Sequence, residues 1–385
     1  MIVLMKRILI VHSEPFIPSL KGNTKAIWEY CNVLKRLGCE LYCCISSDCC
    51  LPQEFIDYFE GRVYVFKRKR YTRFFIRAIQ YCIRKVHKTI TGYNKIDDLY
   101  PYGLERFVEE LHRRYSFDSC IVNYITLSRL FKYISIKQKI VYTHDTFTFK
   151  KRLLGLDDFW FNLKPDEEAR GLDRCSDIIA IQYNESVLFH YLNPLARVYT
   201  VYSHFSPVEL PVVDNSSILY IAGNNRVNLN GIMFFLQQVF PLILAKRTDV
   251  NLEIGGLICD VIPPALITSQ IHLLGTIEKL ESFYALGNIV INPVYQGTGL
   301  KIKTFEGLSY GKAVVAHSHS VDGIYNKDKA PILSSSNPKK MAEYILTLLD
   351  DKELCVSMHE HALAYIEEMN TYVMDEYRKL INEHS

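Results

Sequence analysis

The sequence predicts an α/β protein made of two successive doubly wound, Rossmann-like domains. Short continuous apolar runs recur along the chain and give way to polar residues, as expected of strands buried on both faces of a parallel sheet. Amphipathic stretches at helical spacing lie between them. One segment, Ser206 to Ser217, holds two prolines and no helical pattern, and it divides two such series.

The first series opens with Ile8-Leu9-Ile10-Val11, then a loop from His12 to Gly22. A helix follows, with Ile27, Cys31, Val33, Leu34 and Leu37 on one face and Gly38 just past its end. Leu41 to Ser46 is the next strand, which completes a β-α-β unit. Later strands run through Ser119–Asn123, Lys139–Thr143 and Asp177–Ile181. In such folds ligands sit outside the carboxyl ends of the strands, so Asn123, His144 and Gln182 are expected to face one crevice. The second series starts at Ile218. It continues with a helix near 231–245, strands at 251–255, 271–275 and 289–292, a helix from Ile302 to Tyr310, and a strand at 313–316. Two terminal helices are expected near 338–349 and 352–383. The predicted organisation is a first domain over 1–205, a linker over 206–217, a second domain over 218–365, and a last helix over 366–385 that packs back on the first domain. Two such domains leave a cleft between them, which suits a bulky charged donor on one side and its acceptor on the other.

Composition narrows the function. A chain of 385 residues is long enough for two cores. Its net charge of +3 gives no global reason to expect nucleic acid. The eleven cysteines lack a CxxC spacing, so a zinc or dithiol site is not expected, and reduced thiols in a cytosol fit better. Lys6-Arg7 precede only four apolar residues, too few for an export signal. No apolar stretch of about 18 residues is evident, so no membrane span is predicted.

The segment from Asn292 to Ala316 carries the sharpest chemistry. It reads as a strand end, a glycine loop, a helix and a strand. Gly297 and Gly299 allow close approach of backbone to a ligand. Amides at the start of the following helix are expected to face outward, adding partial positive charge. Lys301 and Lys303 add full charges, and together these suit a diphosphate. Glu306, one turn on, could accept bonds from two neighbouring ribose hydroxyls. A surface turn with two solvated lysines is the plainer alternative.

This segment resembles glycosyltransferase family 4, the large retaining group with the GT-B fold. The matching residues are Pro293, Gly297-Thr298-Gly299, Lys303, Glu306, Gly311 and Val314-Val315. The resemblance implies two Rossmann-like domains facing across a donor-binding cleft, with Lys303 and Glu306 contacting the donor's phosphates and ribose. It further implies Gly297, Thr298, Gly299, Leu300 and Lys301 as loop contacts. Many members carry two glutamates with seven residues between them; the second is Glu306, and the place of the first holds Thr298, which puts the orientation of the sugar in question. Between Ala222 and Gly231 the family usually has an arginine and a lysine on the diphosphate. Arg226 matches the former, with Asn225 beside it, and Asn230 stands where the lysine is common. His144, in Tyr142-Thr-His-Asp-Thr146, matches a histidine that contacts the transferred sugar. Asp145 could orient His144 or bind acceptor, and Arg152 is a second acceptor candidate. Gly22 and Asn23 match a first loop near the donor phosphate, although Asn23 or Thr24 could simply cap the helix. Gly275, Thr276 and Ile277 could read the nucleobase, and Glu185 is a further candidate.

The implied activity is transfer, with retention, of a sugar from a nucleotide-diphosphate sugar such as a UDP- or GDP-sugar to an acceptor hydroxyl, in bacterial surface polysaccharide or glycoconjugate synthesis. No Asp-x-Asp triplet occurs, and no metal is expected. Basic residues from Lys67 to Lys88 interleave with Phe74, Phe75, Ile76, Ile79 and Ile83, so this stretch could lie on an anionic membrane surface at the inner face of the cytoplasmic membrane. It could equally be a solvated basic face. The competing readings are a nucleotide-sugar epimerase or hydrolase on the same architecture, and a nucleic-acid binder using Lys67–Lys88.

Overall fold

A computed structural model describes residues 5–18, 22–67, 74–157 and 159–382. The chain divides into two compact units, residues 1–204 with 373–385, and residues 205–372.

In the first unit the elements are β1 (Arg7–His12), α1 (Gly22–Arg36), β2 (Glu40–Ile45), α2 (Gln53–Tyr58), β3 (Val63–Val65), α3 (Phe74–Thr91), α4 (Leu104–Tyr115), β4 (Ser119–Asn123), β5 (Gln138–Tyr142), α5 (Lys150–Leu154), α6 (Pro165–Leu172), β6 (Asp177–Ala180), α7 (Tyr183–Leu192) and β7 (Arg197–Thr200). Seven parallel strands take the order β3-β2-β1-β4-β5-β6-β7. Ile8 to Val11 are fully buried at the centre, which explains an apolar run without alternation. The sheet order reverses between β1 and β4, so the crevice lies outside their carboxyl ends. α1 begins at Gly22, so Asn23 and Thr24 lie in its first turn and neither is its cap.

The second unit contains β8 (Ser217–Ile221), α8 (Arg226–Phe234), α9 (Phe240–Leu244), β9 (Asn251–Gly255), β10 (Ile271–Gly275), α10 (Leu280–Tyr284), β11 (Ile289–Asn292), α11 (Ile302–Ser309), β12 (Ala313–Ala316), β13 (Ile332–Ser334), α12 (Pro338–Asp350) and α13 (Lys352–Asn382), whose last residues belong to the first unit. Six parallel strands run β10-β9-β8-β11-β12-β13, and the reversal falls between β8 and β11. Contrary to the sequence reading, one helical run, Arg226–Leu244, is long and apolar enough to cross a membrane. Its Ile232, Phe235, Leu236, Val239, Phe240 and Ile243 instead belong to the core of this unit. A π-turn over Phe235–Val239 joins α8 to α9, whose second residue is Pro241. Proline lacks the amide that a regular helix would use there.

Candidate functional site

The second unit gathers its polar groups at the β8/β11 reversal. The chain leaves β8 through Ala222 to Asn225 and enters α8. Asn225 caps that helix, its Oδ1 accepting from the Asn228 amide at 2.9 Å. The cap uses its Oδ1, so toward a ligand the exposed Asn225 would present its Nδ2 donors. Asn228 in turn donates to the Gly223 carbonyl at 2.9 Å and accepts from Lys303 Nζ at 2.7 Å. This chain of bonds ties α11 to the start of α8 and joins two segments that the sequence reading treated separately. Arg226, the first residue of α8, is exposed.

The glycine loop follows β11. Gly297 and Gly299 have φ of 119° and 75°, values that side-chain-bearing residues rarely adopt. A Cβ on Gly297 would lie 3.5 Å from Val227, so the loop packs against the start of α8. The Gly297 carbonyl accepts from His319 Nε2 at 3.0 Å, which requires the proton on that nitrogen. His319 lies in the turn after β12 and was not anticipated. Thr298 and Leu300 are half-buried and Gly299 is buried.

One expectation is corrected. The amides opening α11 are not all turned outward: Ile302 N–H bonds to the Leu300 carbonyl at 3.0 Å, and Thr304 N–H to that of Lys301 at 2.9 Å. The tight loop folds its own carbonyls back over the helix start. More of the positive potential therefore falls on Lys301, the N-cap residue, and on Lys303. Burial lowers the Lys303 pKa to about 8, with Lys301 adding to the effect and Glu306 opposing it. Glu306 accepts from the Tyr284 hydroxyl at 2.9 Å, another contact missing from the sequence reading. At the end of β10, Gly275 has φ of 66° and Thr276 is exposed. Ile277 packs where a Cβ on Gly255 would come within 2.8 Å of it, so residue 255 must be small.

The first unit places a different set at its own reversal. His144 is buried, with φ of 58°, and Tyr124, just after β4, has φ of 72°. The His144 ring lies 4.6 Å from the Tyr124 ring and 4.3 Å from that of Tyr142. Its Nε2 meets Asn123 Oδ1 at 2.8 Å. Asn123 Nδ2 is turned toward the Val11 carbonyl, so Oδ1 is the acceptor, His144 Nε2 carries hydrogen, and Nδ1 is left as the ring's acceptor. Burial, with His12 nearby, holds the His144 pKa well below 6.5, and the ring is neutral at physiological pH.

Asp145 does not orient His144. Its carboxylate pairs with the buried Lys150, whose ammonium also sits over the Phe147 and Phe159 rings. The interior lysine demands a counter-ion, and Asn123 supplies the bond to His144 instead. Arg152 is exposed on α5, and Glu185 is buried in the first turn of α7. Gly22 and Asn23 are in α1, but the Asn23 side chain lies outside the described residues. So do residues 68–73 and the side chains of 74–80, hence most of the basic segment. Of its remainder, Arg84 lies beside Asp98 and Lys88 donates to the Trp160 carbonyl at 2.8 Å, while Tyr81, Ile83, Val86 and Ile90 are exposed.

His12, which the sequence places at the start of a loop, is the last residue of β1. It is buried, stacks on Tyr124 at 6.1 Å, and neither ring nitrogen has a hydrogen-bond partner among the described residues. Burial takes its pKa down to about 4. Its place as the first polar residue after an apolar strand was the signal available.

Residues 215–351 match the glycosyl transferases group 1 family. An uncharacterised 44.6 kDa protein in the cps region of Klebsiella pneumoniae is 22% identical over 165 residues, 40% of this chain and 42% of the relative, so the match spans less than half of that relative's length. Three solved structures align along almost the whole chain. TarM is 11% identical with a TM-score of 0.69, covering 99% of each chain. The pneumococcal O-GlcNAc transferase GtfA, in complex with UDP and GlcNAc, is 10% identical with a TM-score of 0.68, again over 99% of each. Anabaena HepE, in complex with UDP and glucose, is 12% identical with a TM-score of 0.63, over 98% of this chain and 99% of its own. The fold is therefore that of the GT-B glycosyltransferases: two α/β, Rossmann-like domains, each with a parallel sheet.

Proposed function

We propose that this chain is a glycosyltransferase that moves a sugar from a nucleotide-diphosphate donor to an acceptor hydroxyl with retention, without a metal, in bacterial surface polysaccharide or glycoconjugate synthesis. The observation that carries the reading is the joined loop of the second unit. Lys303, fixed by Asn228, stands beside the glycine loop and one turn before Glu306. A diphosphate needs fixed cations, and a ribose needs a paired acceptor; this loop offers both. The family match over residues 215–351, the UDP bound by GtfA and HepE, and the cps-region relative support it.

Negative charge grows on the departing phosphate in the transition state. Lys303, Lys301 and Arg226 oppose that charge, and the loop amides that remain available add to it. The leaving phosphate takes the acceptor's proton, so no carboxylate base is required. His144 accepts a hydroxyl of the transferred sugar at Nδ1. Arg152 and Asp145 serve the acceptor, Asp145 in its ion pair with Lys150. Gly22 and Asn23 approach the donor phosphate, and Gly275 to Ile277 approach the base.

The test is turnover with UDP-, GDP- and ADP-sugars and cell-surface glycan acceptors, with and without EDTA. Acceptor-dependent product whose anomeric configuration matches the donor's, at an EDTA-insensitive rate, is expected. Conversion of the donor without acceptor would favour an epimerase or hydrolase. The same reading puts the protein at the inner face of the cytoplasmic membrane through Lys67 to Lys88 and the exposed Tyr81, Ile83, Val86 and Ile90. It should float with anionic liposomes and remain in solution with neutral ones.

A further inference from the structure

Glu306 binds the ribose in the proposed function, and this inference rests on that reading. A glutamate side chain is flexible, and two adjacent hydroxyls can be accepted together only if the carboxylate plane is held toward them. A group that holds it lies 22 positions earlier, the Tyr284 hydroxyl on Glu306 Oε1. Tyr284 ends α10 and is fully buried. Its ring stacks on Tyr310 at 4.3 Å and 16° and meets Phe283 edge-on at 5.4 Å. Tyr310 is the C-cap of α11, the helix that carries Glu306. Tyr284 therefore grips that helix at two places one turn apart. Burial and the Glu306 charge keep its phenol protonated, so toward the carboxylate it can only donate.

We infer that Tyr284 is a positioning residue for the nucleotide: its hydrogen bond orients the Glu306 carboxylate to accept the 2′- and 3′-hydroxyls together, which makes the site select ribonucleoside over 2′-deoxyribonucleoside diphosphates. A carboxylate has about four acceptor positions, so a bond from Tyr284 is compatible with bonds from both hydroxyls. With that bond removed, the carboxylate can turn toward Lys303, its attractive neighbour, and meet one hydroxyl or none. A site built to bond a hydroxyl rejects the analogue that lacks it, because its own polar group is left unpaired.

The experiment is calorimetric titration of the full chain with UDP, ADP and GDP, each beside its 2′-deoxy counterpart, and with inorganic pyrophosphate. The parent protein should prefer the best ribonucleotide about 10-fold or more over its deoxy form, as expected for one charge-assisted bond. In Tyr284→Phe, which keeps the stacking, that ratio should fall to within about threefold, while the deoxynucleotide and pyrophosphate bind as before. Equal weakening of both nucleotides with the ratio retained overturns the inference and leaves the diphosphate reading standing. Failure of every diphosphate to bind the parent protein removes both. Should the variant not fold, a crystal structure of the parent with the best ribonucleotide decides. Both ribose hydroxyls on Glu306, with Tyr284 still bonded to it, support the inference; a ribose placed elsewhere overturns it.

Discussion

The two units share one topology and line its reversal with opposite kinds of residue. In each, the strand order reverses beside the first strand of the unit, between β1 and β4 and again between β8 and β11. At the first reversal stand buried His12, Asn123 and His144 with the half-buried Tyr124, a largely aromatic set whose two histidines are held neutral by burial. At the second stand Arg226, Lys301, Lys303 and Glu306, half-buried or exposed and charged. The doubly wound sheet supplies a crevice in both. Under the proposed function, the residues that leave the strands fit the first crevice to sugar hydroxyls and the second to phosphates.

The largest expected effect falls on the charged crevice. Lys303→Ala should lower kcat/KM by about 100- to 1,000-fold, the usual loss for one fixed contact on developing charge, measured with a competent donor and acceptor. A variant that kept the parent rate would end the assignment. Next comes pH. A lysine holds its proton below its pKa, and that of Lys303 is about 8. Affinity for a nucleoside diphosphate should therefore be level between about pH 7 and 8, where its terminal phosphate is already fully ionised, and fall by up to about tenfold per unit above that. Lys303→Arg should flatten the fall. The first crevice should contribute no step in that range, because its histidines are already neutral at pH 7; a calorimetric profile of affinity against pH separates the two. The smallest effect is on stability. His12→Phe removes buried ring nitrogens that have no hydrogen-bond partner among the described residues, and such a group costs about 1–3 kcal/mol. The variant should melt a few degrees higher, as scanning calorimetry would show. A lower melting temperature would mean that those nitrogens are satisfied in solution.

Much of this molecule is legible along the chain because its signals are local. Continuous apolar runs such as Ile8 to Val11 and Ala313 to Ala316 mark strands covered on both faces, and glycines at 297 and 299 mark backbone that only glycine adopts without strain. The apolar run Arg226–Leu244 escapes a search for unbroken apolar residues because asparagines and glutamines interrupt it, and its setting is a core, where burial favours the same residues as lipid does.

Sequence by itself therefore determined the α/β class, the two series of strands and the loop that gathers Lys301, Lys303 and Glu306. Tertiary structure alone decided which partner each functional side chain keeps. Asp145 stands next to His144 in the chain, yet it pairs with Lys150, while Asn123, 21 residues away, holds the imidazole. Asn228 and Tyr284 reach Lys303 and Glu306 across 75 and 22 residues. The physical reason is that a hydrogen bond depends on distance and angle in space, and side-by-side strands bring together residues whose separation along the chain carries no trace of the meeting.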